Sequence, residues 1–246
     1  DGFRDENFAK AFEILPQTGI KNVEFNVWYG RTVTPSGLAS IRERCVKRGL
    51  RPISLQGKSF GGELVKDLTH KLWTMQQAKE LGCRRVKFSA AKRGQAGGLD
   101  RIIEVLKELA PVAEEKDVLI CLENNANSNL ETIADFEKVF AAIDSTHVGL
   151  NLDMGHFDGA GVNNFEVVEM FYHKINHIDI KDCAHFGQYK TVPYGSGITE
   201  GEAIVRALLD KAYSGYLVIE QAPPRSGVEL AIEMERIRDR FKSFER

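Results

Sequence analysis

Short runs rich in β-branched and aromatic residues alternate along the chain with longer segments of helical periodicity. Seven such runs predict strands at 21–26, 51–56, 85–89, 118–124, 148–154, 175–181 and 216–221. Helices are predicted between them near 36–48, 63–81, 98–115, 130–143, 163–174 and 200–212. One more helix, 6–17, precedes the first strand, and another, 228–243, follows the last. The pattern recurs about every thirty residues, the spacing of βα units in a parallel sheet. Thr34-Pro35-Ser36 opens one helix and Asn129 can cap another, while Gly19, Gly49 and Gly82 fall where helices end.

No linker, low-complexity tract or charge block divides the chain, so residues 1–246 are expected to form a single domain. Its length suits one α/β barrel of the (β/α)8 TIM type, which takes roughly 250 residues. Helix 6–17 has no strand ahead of it, so the first strand of a closed eight-stranded barrel is expected upstream of residue 1. An open seven-stranded sheet would instead expose two long edges.

Side chains alternate between the two faces of a strand. One parity is apolar in each run: Val23 and Phe25, Ile53 and Leu55, Val86 and Phe88, Ile120 and Leu122, Leu150 and Leu152, Ile178 and Ile180, Leu217 and Ile219. These positions are expected to face the helices. The other parity then faces the barrel axis, and it is mostly polar: Glu24 and Asn26, Ser54 and Gln56, Lys87 and Ser89, Cys121, Glu123 and Asn125, Asn151 and Asp153, His177, Asp179 and Lys181, and Val218 and Glu220. Barrel interiors are ordinarily aliphatic, and catalytic groups gather at the carboxyl ends of the strands. Glu123, Asp153, Asp179 and Glu220 all stand at such ends, on four consecutive strands. Like charges that close repel one another, and a hard divalent cation removes the conflict. All-oxygen ligation points to one Mn²⁺ or Mg²⁺ ion, with Co²⁺ or Zn²⁺ as alternatives. The structural alternative is a buried ionic network with Lys87 and Lys181 as partners.

Composition narrows the partners. A net charge of −2 offers no basic surface for nucleic acid, and no aliphatic run is long enough to span a bilayer. No secretory leader is read, and a start at Asp1 rather than Met points to a trimmed chain. Cys45, Cys83, Cys121 and Cys183 are dispersed, with no CxxC pair, which suits a reducing cytoplasm. Gly94, Gly97 and Gly98 form a loop with neither a GxxxxGK nor a GxGxxG pattern, so no phosphate cradle is read there.

The ordered pieces VEFN (23–26), LENN (122–125), LDMGH (152–156), HIDIKD (177–182), PYGSG (193–197) and GYLVIE (215–220) give the chain a resemblance to the xylose isomerase-like barrels. That superfamily includes sugar and sugar-phosphate isomerases and epimerases, D-tagatose 3-epimerase, inosose dehydratase and endonuclease IV. The resemblance implies a metal held by Glu123, Asp153 and Glu220, and a substrate contact from His156. The family's fourth ligand is a His, and Asp179 stands in its place, which keeps a ligand but adds negative charge. The trinuclear endonuclease pattern needs several His at strand ends, where this chain has Gln56 and Ser89, so a DNA-repair role is disfavoured.

Glu123 and Glu220 sit on opposite sides of the mouth, where one carboxylate could remove a proton beside a carbonyl and the other return it. The bland alternative makes both of them ligands only. Gln56, Lys87, Asn125, His156, Lys181, His185 and Trp28 are the candidate substrate contacts. The function expected is a metal-dependent isomerase or epimerase of a ketose, sugar phosphate or related polyol, acting through an enediolate. The alternatives are a lyase or dehydratase on a keto-cyclitol or keto-sugar, and a sugar-binding barrel without turnover. Association into a homo-oligomer is compatible with the fold, but no interface stripe is legible.

Overall fold

The computed structural model describes residues 5–220 and 227–244. Strands β1 (Asn22–Asn26), β2 (Arg51–Gln56), β3 (Arg85–Phe88), β4 (Leu119–Glu123), β5 (Val148–Asp153) and β6 (Ile175–Ile180) each pair in parallel with the next. The chain then makes an antiparallel hairpin, β7 (Asp182–His185) and β8 (Gln188–Val192), before β9 (Leu217–Ile219) joins β6 in parallel. The helices are α1 (Ala9–Ile14, extended by a 3₁₀ turn at Leu15–Gln17), α2 (Pro35–Arg48), α3 (Leu64–Leu81), α4 (Gly98–Lys116), α5 (Ile133–Ala142), α6 (Met154–Gly159), α7 (Asn164–Phe171), α8 (Gly201–Asp210) and α9 (Gly227–Phe241). This is the architecture of a (β/α)8 barrel with seven of its strands among the described residues. The predicted strands and helices are all present, apart from residue 221, which lies outside the described residues.

The apolar parity builds the wall. Leu55, Val86, Phe88, Ile120, Leu122, Leu150, Leu152 and Ile178 are fully buried and join Leu38, Met75, Leu106, Phe136, Val168 and Leu208 from the helices in one core. Each such burial is worth about 1.5–3 kcal/mol before chain entropy is counted. Much of the polar parity is equally buried: Ser54, Lys87, Asn151, Asp153, His177 and Asp179 have no exposed surface.

β1 and β9 are the sheet's edges and do not pair with each other. A cavity of about 800 Å³ lies between them, lined in part by Asn22, Glu24, Tyr213, Leu217, Ile219 and Ile237. A closed seven-stranded barrel, which would have excluded a further strand there, is not formed.

Thr34 caps α2 as expected, its hydroxyl accepting the Gly37 amide with Pro35 in the first turn. Asn129 does not cap α5. That helix starts at Thr132, whose hydroxyl accepts the Asp135 amide while the Asp135 carboxylate accepts the Thr132 amide. With its first turn satisfied reciprocally, α5 leaves Asn129 free to hold the Gly-rich loop instead. Asn129 accepts from the Gly94 amide at 2.8 Å and donates to the Gln95 carbonyl at 2.9 Å. The hairpin and the one-and-a-half-turn helix α6 are too short for a periodicity argument and were not anticipated.

Candidate metal centre

Glu123 closes β4, Asp153 closes β5, Asp179 is the penultimate residue of β6 and Glu220 follows β9. Parallel pairing sets Asp153 beside Asp179 and Asp179 beside Val218, so the strand ends come level. One carboxylate oxygen from each of the four lies within 4.8 Å of the others. The convergence expected from strand parity is therefore realised.

Two lysines enter the same space. Lys87, fully buried on β3, reaches Asp179 (2.8 Å), Glu24 (2.9 Å), Glu220 (3.2 Å) and Glu123 (3.6 Å). Lys181 reaches Asp153 at 2.6 Å and Glu220 at 2.9 Å. Burial opposes charge on both lysines, yet the surrounding carboxylates hold them well above the usual lysine range. Burial pushes Glu123 up to about 8, helped by the charges of Glu220 and Asp179 and opposed by Lys87. It pushes Asp153 up to about 7 in the same way, against Lys181. Asp179 is raised too, again chiefly by burial. Burial would also raise Glu220, but Lys181 and Lys87 hold it well below the carboxylate range.

These residues fit a divalent cation. Two ammonium groups face five carboxylates, Glu24 included, and burial raises three of the five toward the neutral form. Asp179 Oδ1 and Asn151 Oδ1 are buried with no hydrogen-bond partner among the described residues. Unpaired buried oxygens of this kind are costly unless a cation or water meets them. The four-carboxylate set could hold the ion through hard oxygen ligands.

A second layer lies below. Glu24 accepts from Ser54 Oγ at 2.7 Å and stands 3.0 Å from His177 Nε2. Glu24, His177 and Asp179 form a second group close enough to share an ion, although Lys87 lies against two of its members. Inward parity had pointed to Glu24 and His177, but nothing in the sequence showed that they would pair.

The remaining candidates divide. Gln56 Nε2 donates to Glu123 Oε2 at 3.3 Å, at the rim of the centre. His156, in the first turn of α6, accepts the Ala126 amide on Nδ1 at 3.1 Å, and its Nε2 lies 3.9 Å from Asp153. Burial keeps its imidazole neutral, at about 2, with Lys181 adding to the shift. Asn125 lies beyond the end of β4 and donates to the Asn124 carbonyl. His185 is exposed at the end of β7. Trp28 follows β1 and packs edge-tilted against Tyr29 at 5.9 Å. His185 does not join the carboxylate cluster.

Two residues at the site were not singled out from sequence. Asn124, on the outward parity, exchanges two hydrogen bonds with the Asp153 backbone. Tyr189, on β8, stacks on the His156 ring with centroids 4.2 Å apart and planes 12° from parallel.

Comparison with known proteins agrees with this fold. An inosose dehydratase of Clostridium botulinum (strain Alaska E43 / Type E3) is 26% identical over 133 residues, covering 47% of this chain and 44% of that protein. An inosose dehydratase of Clostridium perfringens is 26% identical over 137 residues, covering 48% and 46%. The chain thus spans less than half the length of these curated relatives. Among solved structures, the IolI protein with a bound zinc atom superposes with a TM-score of 0.81 at 21% identity, covering 96% of this chain and 94% of that one. The 3-keto-D-glucoside 4-epimerase YcjR of E. coli gives 0.75 at 18%, covering 96% and 95%. The family described as the xylose isomerase-like TIM barrel matches residues 12–239, and the chain belongs to it.

Proposed function

We propose that this barrel is a metal-dependent isomerase or epimerase of a ketose, sugar phosphate or related polyol. The observation that carries this reading is the convergence of Glu123, Asp153, Asp179 and Glu220 on one mouth with too little positive charge to balance them. A divalent ion, Mn²⁺ or Mg²⁺ in the first instance, would supply a Lewis acid for adjacent carbonyl and hydroxyl oxygens and acidify the hydrogen between them.

The chain's own groups do the proton work in this scheme. Glu220, held ionised by Lys181 and Lys87, can take a proton from the carbon beside the carbonyl. Glu123, from across the mouth, would return a proton to the opposite face. Lys87 and Lys181 steady the negative charge that develops on the substrate as the proton leaves. Gln56, bonded to Glu123, and the neutral His156 and its neighbours are placed to select hydroxyl groups rather than charges.

A dehydratase on a keto-cyclitol is the second reading, favoured by the relatives named inosose dehydratase. It shares the proton abstraction and differs in expelling a β-oxygen. A panel of ketoses and keto-cyclitols with Mn²⁺, followed by NMR in D₂O, tests both. Deuterium beside the carbonyl without loss of water supports the isomerase or epimerase. Loss of water supports the dehydratase, and inertness toward the whole panel removes both.

A further inference from the structure

We propose that Tyr189 presents a hydrogen-bond donor to a substrate oxygen at this mouth. The proposal rests on the reading above that the mouth binds a keto-polyol.

The Ala126 amide donates to His156 Nδ1, so the neutral ring carries its proton on Nε2, which then cannot accept. The Tyr189 hydroxyl lies 3.1 Å from Nε2, over the face of that ring rather than in the plane along which its N–H points. Thr191 Oγ1 donates to the same hydroxyl at 2.9 Å. The Tyr189 hydroxyl therefore keeps its own proton to give, and no acceptor for it is present among the described residues.

That proton is held at the mouth. Tyr189 lies flat on His156, whose Nε2 is 3.9 Å from Asp153, and it feels the charges of Lys181, Asp153 and Glu220. The hairpin that carries it is seated on α6. A Cβ at Gly159 would fall 2.8 Å from Tyr189 Cα, so only glycine lets the hairpin lie this close. The Gly187 amide donates to the Asp158 carbonyl at 2.8 Å, and Thr199 Oγ1 donates to the Asp158 carboxylate at 2.6 Å. The donor is thus positioned before any ligand arrives, which limits the ordering cost of binding.

The test uses the metal-loaded protein and the panel member that wild type turns over best, with deoxy analogues lacking one oxygen each. Tyr189→Phe keeps the ring stacked on His156 and removes the donor. It should lower kcat/KM by about tenfold, and the deoxy analogue lacking the contacted oxygen should show no difference between variant and wild type. Thr191→Val, which leaves the phenol in place, should give a smaller loss on the same oxygen and serves if Tyr189→Phe does not fold. Unchanged kcat/KM in Tyr189→Phe overturns the proposal. So does an equal loss for every analogue, which would make Tyr189 a packing residue only. If wild type turns over no member of the panel, the proposed function itself falls, and this inference with it.

Discussion

Asn124 grips Asp153 from both sides of its peptide unit: Nδ2 donates to the Asp153 carbonyl at 2.9 Å, and Oδ1 accepts the Asp153 amide at 2.8 Å. The Asp153 carboxylate also accepts the His156 amide, capping α6. Replacing Asn124 with Leu would strand two buried backbone groups at the end of β5, at a cost of about 1–3 kcal/mol for each. Urea unfolding of Asn124→Leu should show a clear loss of stability. Because a misplaced ligand also weakens a metal site, Mn²⁺ affinity should fall roughly 10- to 100-fold. Wild-type stability and Mn²⁺ affinity in this variant would show that the clamp is incidental.

Lys87 is the hub of the ionic layer, facing Glu24, Glu123, Asp179 and Glu220. Lys87→Met keeps the length of the side chain and removes its charge. Breaking a buried network from one side typically costs about 3–5 kcal/mol, because the partners are left charged and unpaired. The variant should therefore unfold at markedly lower urea, and added Mn²⁺ should restore part of the difference. An unchanged urea midpoint would mean that the carboxylates tolerate one another without it.

Glu123 and Asp153, raised to about 8 and about 7 by burial, keep protons in the folded metal-free chain that the unfolded chain has already released. Between roughly pH 4.5 and pH 8 the folded state therefore binds more protons, and its stability falls as the pH rises. Glu24 and Glu220, held low by their cationic neighbours, act in the opposite sense, and their contribution is lost as the pH drops below the ordinary carboxylate range. Metal-free protein should show a lower Tm near pH 8 than near pH 5. Mn²⁺ should erase or reverse that order, since ligation needs the ionised carboxylates. Equal Tm values at both pH values without metal would show these groups ionised throughout.

Glu123→Gln and Glu220→Gln preserve side-chain size and remove basicity. Under the proposed proton transfer each should lower kcat by about 10²- to 10⁴-fold, part of which reflects weaker metal binding, so metal content is measured in both. If only one substitution matters and the product has lost water, the dehydratase reading holds. Full activity in both variants with metal bound would reduce the two residues to ligands.

The strand ends were legible because parity is a strict rule inside a strand, and the inward series Glu123, Asp153, Asp179 and Glu220 broke the aliphatic pattern that a barrel axis ordinarily shows. The rule stops where the strand does. Asn125 was assigned inward by counting one step past the end of β4, but the chain has already left the sheet there. Its neighbour Asn124, which was not singled out, turns back to hold Asp153. Lys87 and Lys181 were read as either neutralising groups or substrate contacts, and only distances reveal how many carboxylates each one meets. Tyr189 reaches the site through the packing of a hairpin against Gly159, a long-range fit that no local pattern encodes.

The unequal tethering of the four ligand-bearing strands has a mechanical consequence. Glu123, Asp153 and Asp179 stand on strands hydrogen-bonded on both flanks, whereas Glu220 follows the three-residue strand β9, whose only partner among the described residues is β6. An ion gripping all four would act as a clasp, fastening the loosest stave of the barrel to its firmest. Its arrival would then register in slower amide exchange at Val218 and Ile219, while the amides of β4, already locked, would hardly change.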